Sequence, residues 1–261
     1  MKVSLPMATA RPSYGWDVIT TLVGRELRIR YKGSALGILW AVLSPLGTVA
    51  VMHIVFTTIL PLGIEHYAAF VYAGLLPWTW FQTAIQTSAS TLLDNRDLVR
   101  RPFFPRIVLP AVVAATNFML YLLALPVLLL LMLLEGVPFT PALLLLPAIL
   151  AVLAIFTLAL STMMAALGVL IRDVQHILGV VMMFWFYLTP IFYGADRLGD
   201  AQRWLLLNPL ATIISAHRRV VLEGLPPDWG ALGWCLLAGL VLLGLSLALF
   251  RALEDNFVEE V

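Results

Sequence analysis

Apolar residues run in long blocks along this chain, and the polar residues fall in short bursts between them. A helix needs about 20 apolar residues to cross the hydrocarbon of a bilayer. Six blocks meet or approach that length, at residues 33–60, 67–91, 107–134, 142–171, 176–193 and 230–250. The expected fold is therefore an all-α membrane protein with six transmembrane helices in each protomer. Pro45 lies inside the first block and is expected to kink it.

The segments between the blocks have their own patterns. In residues 13–32, Trp16, Ile19, Val23, Leu27 and Tyr31 recur at three- and four-residue steps, which is helical periodicity. Arg25, Arg28, Arg30 and Lys32 take much of the remaining face. A basic amphipathic helix of this kind lies at the membrane interface or packs on the protein beneath it. Residues 92–106 form a polar island carrying Asp94, Arg96, Asp97, Arg100, Arg101 and Arg106. Residues 92–101 can make a short helix, which Pro102 and Pro105 then stop, leaving Phe103 and Phe104 exposed. Such an element suits docking to a soluble partner. Its plainer alternative is a loop that carries positive charge on the inner side of the membrane. Residues 194–229 mix eight charges with a short apolar run broken at Asn208–Pro209, a pattern that suits a re-entrant helical hairpin. Residues 251–261 make a short acidic tail.

Composition agrees with a membrane protein. Hydrophobic residues make up 61% of the chain and charged residues 12%, and the mean hydropathy is +0.96. Ordinary soluble domains carry about 25% charged residues, so one buried core cannot account for this chain. Its 261 residues suit a single membrane domain, 1–261. The lone Cys235 rules out an internal disulfide, and residues 1–14 lack the continuous apolar core of a cleavable signal peptide. With the N-terminus inside, twelve of the sixteen lysines and arginines fall on the cytoplasmic side. Both termini and residues 92–106 are then expected in the cytoplasm.

The missing chemistry narrows the function. No Asp, Glu, Lys or Arg lies inside the six blocks, and His53 is a thin basis for a relay, so an ion-coupled carrier is disfavoured. Neither Lys2 nor Lys32 follows a glycine, so there is no phosphate loop for ATP. There is no His-Glu-x-x-His and no Gly-x-Ser-x-Gly either. The basic residues are spread over several loops, which argues against nucleic-acid binding. What remains is a passage without an engine, and a cytoplasmic handle that could receive one. That points to a transport subunit served by a separate ATPase.

Four motifs then carry a resemblance. Residues 25–34, Arg-Glu-Leu-Arg-Ile-Arg-Tyr-Lys-Gly-Ser, run into 36–46, Leu-Gly-Ile-Leu-Trp-Ala-Val-Leu-Ser-Pro-Leu. Asp97-Leu98-Val99-Arg100-Arg101 precedes Phe103-Phe104-Pro105-Arg106. Ile171-Arg172-Asp173-Val174 is followed by Thr189-Pro190-Ile191-Phe192-Tyr193, and then by Leu207-Asn208-Pro209-Leu210. In this order they resemble an ABC-2 type polysaccharide-export permease over nearly the whole chain. Agreement is better with O-antigen and teichoic-acid exporters than with capsule exporters, whose first-span pattern fits less well.

The resemblance implies a homodimer in the cytoplasmic (inner) membrane, bound to two copies of a cytoplasmic ATPase. It implies no cofactor on this chain, with ATP and Mg on the partner, and a glycan on undecaprenyl diphosphate as the cargo. Carried over, ATPase coupling falls on Asp94, Arg96, Asp97, Arg100 and Arg101, with Arg25 and Arg28 nearby. Aromatic faces suit the apolar faces of sugar rings. The candidates for a glycan channel are Trp40, Phe56, Tyr72, Trp78, Trp80, Phe81, Phe184, Trp185 and Tyr187. Ordinary core or interface packing is the alternative for each of them. Arg28, Arg30 and Lys32 are candidates for the lipid diphosphate. A small hydrophobic cargo, or a non-catalytic scaffold of envelope assembly, are the competing functions.

Overall fold

The computed structural model describes residues 12–102, 104–171, 173–194 and 207–257. Among these residues every regular element is helical. The elements are α1 (Pro12–Arg30), α2 (Trp40–Ile54), α3 (Tyr67–Asp94), α4 (Arg96–Val99), α5 (Val108–Glu135), α6 (Leu146–Leu170), α7 (Val174–Leu188), α8 (Pro209–Val221) and α9 (Trp229–Leu253). Hydrogen bonds satisfied within each helix are what a bilayer demands of a chain that enters it.

Among the described residues, four stretches are long and apolar enough to cross a membrane: Gly37–Ile59, Val108–Glu135, Pro141–Leu170 and Trp229–Leu253. The protein is thus a multi-pass membrane protein. The other two expected spans differ from that description for opposite reasons. Helix α3 has 28 residues, but Gln82, Thr83, Gln86, Thr87, Ser88, Ser90 and Thr91 dilute its apolar character. It is the central helix, and protein rather than lipid covers most of it. Helix α7 is apolar but has only 15 residues. The expected block 176–193 stops at Leu188 because Pro190 forces its predecessor Thr189 into extended backbone.

Helix α3 packs on α5 and α6, and α6 packs on α9. In lipid there is little hydrophobic drive between helices, so close approach of small residues does the joining. At the α3–α6 crossing a Cβ on Gly168 would collide with the main-chain carbonyl of Ala89. Gly239 of α9 plays the same part against α6, where a Cβ would lie 2.9 Å from the Phe156 ring. Helix α2, by contrast, buries only Pro45 and Val49. The helix runs on past Pro45 to Ile54, and a π turn follows over Val55–Ile59.

Two expectations at the polar island change. The short helix over 92–101 is in fact the end of α3, a break at Asn95, and the single turn α4. Asn95 makes the break because its side chain donates to the Thr91 carbonyl at 2.9 Å, closing the end of α3. Phe104 is half-buried rather than exposed, packed with Leu98 and Ile107 against a second apolar cluster. Phe103 lies outside the described residues. So does Arg172 of the polar turn after α6, and so does 195–206, part of the region 194–229 where a re-entrant hairpin is expected. Within the region 194–229, Pro209–Val221 form α8, capped at its start by the Asn208 side chain. The tail also departs from a plain acidic end: α9 runs on to Leu253, and Phe257 beyond it is fully buried.

Candidate functional site

The polar island sits at one end of the bundle. Leu92 and Val99 are buried, and they anchor it in a cluster with Leu109, Val169, Phe250 and Phe257. Rooting these apolar residues leaves the charges outside. Asp94, Arg96, Asp97, Arg100 and Arg101 are all exposed. Arg25 and Arg28 of α1 are exposed at the same end. Arg25 and Glu26 share a small cavity of about 80 Å³ with Asp94 and Asn95. The coupling candidates are therefore brought together as one charged surface spanning α1, α4 and the end of α3.

A second site lies deeper, between α1, α2, α3 and α5. It is an open cavity of about 230 Å³. Three helices each turn a pair of polar side chains, four residues apart, toward it: Ser44 and Thr48 on α2, Thr79 and Thr83 on α3, Asn117 and Tyr121 on α5. Residues four apart share a helix face, so the three polar pairs converge by helical geometry. Trp40 and Trp80 add aromatic surface. Arg30 and Tyr31, at the end of α1, complete the lining. Arg30 donates to Asn117 Oδ1 at 3.2 Å and lies 3.8 Å from the Glu26 carboxylate. Burial pushes the Tyr31 phenol above its ordinary value, and neighbouring Arg30 pulls the other way. The phenol stays a neutral hydrogen-bonding group at physiological pH. Hydroxyls, an amide, indoles and one guanidinium around this volume can hold a polar, uncharged ring with an anion beside it.

The candidate residues divide. Of the three diphosphate candidates, Arg30 lines the cavity, while Arg28 and Lys32 are exposed. Of the nine aromatic candidates, Tyr72, Trp78, Trp80 and Phe81 are buried in the core of a single protomer. Tyr72, Trp78 and Phe81 have no surface left for a passage between two copies. Trp78 is spent on Gln82, its indole donating at 2.6 Å. Phe81 meets Trp185 edge-on with centroids 5.3 Å apart, and Trp185 donates to Asn208 at 3.0 Å. Phe56 stacks on Phe192. Trp40, Phe184 and Tyr187 are exposed.

Sequence reasoning missed residues that organise the opposite end. Arg218, on α8, is buried and has no carboxylate partner among the described residues. Its Nε donates to the Phe70 carbonyl at 3.0 Å, and its two terminal nitrogens donate to the carbonyls of Pro190 and Ile191. The guanidinium also lies 3.7 Å over the Phe70 ring. Next to it, His217 meets the Tyr121 hydroxyl at 2.8 Å. Glu135, at the end of α5, accepts from the amides of Ala68 and Ala69 at 3.2 and 3.0 Å, capping the start of α3. The only sign of these roles in the sequence is a charge beside an apolar run.

Residues 17–222 match the ABC-2 type transporter family. The chain is 34% identical over 247 residues to the O-antigen export system permease protein RfbA of Myxococcus xanthus, covering 94% of this chain and 95% of that protein. It is 28% identical to the RfbA permease of Klebsiella pneumoniae, over 94% and 95% of the two chains. It is also 24% identical to the polysialic acid transport protein KpsM of Escherichia coli, over 91% and 93%.

Proposed function

The chain belongs to the ABC-2 type transporter family, and from that premise we propose that it is the permease subunit of an ATP-driven exporter of a lipid-linked, O-antigen-like polysaccharide. The permeases it resembles along nearly its whole length are named for O-antigen export, which supports the class of cargo. The geometric observation that carries the reading is the exposed charged surface of α1, α4 and the end of α3, rooted in a buried cluster. A rigid, polar handle of that kind is what an external motor needs.

In this reading six helices span the cytoplasmic membrane, α3 and α7 included, with both termini in the cytoplasm. Two copies form the permease. The apolar faces that α2 and α7 leave uncovered would meet a second copy or lipid. Two ATPase subunits bind ATP and Mg, and this chain does no catalysis. Closure of the ATPase pair pushes on Asp97 and Arg100, and the push opens a path between the permeases. The diphosphate and first sugar of an undecaprenyl-linked glycan enter at the cavity beside Arg30. Its hydroxyl lining is a poor match for a small hydrophobic cargo. Trp40, Phe184 and Tyr187 remain as surfaces on which the glycan slides.

An affinity pull-down of the tagged chain from native membranes tests the handle. A soluble ATPase should co-purify in stoichiometric amount, and should be lost when Asp97 and Arg100 are both changed to Ala. A chain that emerges alone, under conditions that keep other membrane complexes whole, would contradict the reading.

A further inference from the structure

Arg106 is the one basic residue of the polar island that is turned away from the charged surface. It is half-buried and bonded on two sides. Its Nε donates to the Val99 carbonyl at 3.0 Å, at the end of α4. Its Nη1 reaches the Glu254 carbonyl oxygen at 3.5 Å and the Glu254 carboxylate at 3.4 Å. Val99 and Glu254 belong to segments far apart in the chain. Below the bridge, Phe250 and Phe257 meet edge-on with centroids 5.1 Å apart, in the same cluster as Val99.

We infer that Arg106 is a positioning residue that fastens the coupling turn α4 to the end of α9, so that force received at α4 reaches α9 as well as α3 and α5. The inference rests on the exporter reading above and extends it to the C-terminal helix. A single turn of helix has no stiffness of its own. It moves with whatever holds its last carbonyl, and here that is a guanidinium whose other contacts are on Glu254. A guanidinium is suited to this work because its planar fork presents several donors in fixed directions, whereas a lysine ammonium offers a single point. Helix α9 lies along α6, and α6 lies against α3. The bridge therefore closes a loop of packed elements around the site where the motor is read to act.

The test compares wild type, Arg106→Ala, Arg106→Lys and Glu254→Ala, each co-expressed with the ATPase subunit. Three quantities are read: ATPase retained and ATP hydrolysed by the purified complex, glycan delivered to the cell surface, and amide hydrogen exchange along the chain. Arg106→Ala should keep the ATPase and its hydrolysis while export per complex falls about tenfold, within the usual range of coupling between sites. Amides of 96–101 and 251–257 should exchange faster together. Arg106→Lys should recover little, because the fork is lost. Glu254→Ala leaves the buried cluster intact and should show the same uncoupling in weaker form, which answers the question if Arg106→Ala fails to fold. Export that falls only in proportion to the amount of complex would overturn the inference, as would faster exchange at 96–101 alone. A wild-type chain that neither binds an ATPase nor exports glycan would instead remove the exporter reading and this inference with it.

Discussion

At the scale of single residues, the most consequential group is one that the polar pattern hides. Arg218 looks like a loop cation in the sequence, yet it is a buried donor bonded through all three of its nitrogens. Burying a charge without a carboxylate is costly unless its hydrogens are all taken up. Here the chain break at Thr189–Pro190 frees carbonyls that no helix claims, and those carbonyls receive the guanidinium. Gly74 belongs to the same arrangement, because a Cβ there would land on Arg218. Replacing Arg218 by Met should therefore leave the buried carbonyls of Pro190 and Ile191 unpaired. At about 1–3 kcal/mol for each unsatisfied group, the loss should show as a marked fall in the thermal unfolding temperature of the detergent-solubilised protein. Arg218→Lys should recover only part of it. Unfolding temperatures unchanged in both variants would show that Arg218 is no clamp. Arg218 was illegible as a clamp because its partners are main-chain oxygens, which no side-chain pattern encodes.

At the scale of elements, the apolar blocks read well and their ends read less well. The blocks at 107–134 and 230–250 became α5 and α9 with shifts of a few residues. The expected helix at 92–101 failed at Asn95, where a local side-chain bond outcompeted helix continuation. The cavity was legible only in pieces. Arg30, Trp40 and Trp80 were singled out on three different elements, but the hydroxyl pairs on α2 and α3 were not. Ser and Thr are common in membrane helices, where they bond to their own backbone, as Thr48 does to the Ser44 carbonyl at 3.4 Å. Convergence of three helices is needed before such residues mean a site. If a polar ligand occupies this space, Arg30→Gln should slow glycan export by about tenfold, the worth of one lost charge-assisted hydrogen bond. Thr83→Leu, which fills the cavity without touching the charged surface, should also slow it. Export unchanged in both variants, measured as surface glycan per unit of permease, would rule out the cavity as part of the path.

At the scale of the whole molecule, the charged surface at one end and the clamp on Arg218 at the other bracket a bundle whose middle carries the polar cavity. The class of protein was legible from composition and from the lack of catalytic motifs. The aromatic candidates were less so. Tyr72, Trp78 and Phe81 lie on α3, which protein surrounds, so no apolar stripe marks an inward face and a core aromatic looks like a channel one. We propose above that this chain carries a lipid-linked polysaccharide outward. Deleting its gene and restoring it on a plasmid, while following glycan on both sides of the membrane, tests this. The deletion should strip polysaccharide from the cell surface and leave undecaprenyl-linked glycan accumulating inside, with both reversed on restoration. Surface polysaccharide that persists at the wild-type level in the deletion would contradict it.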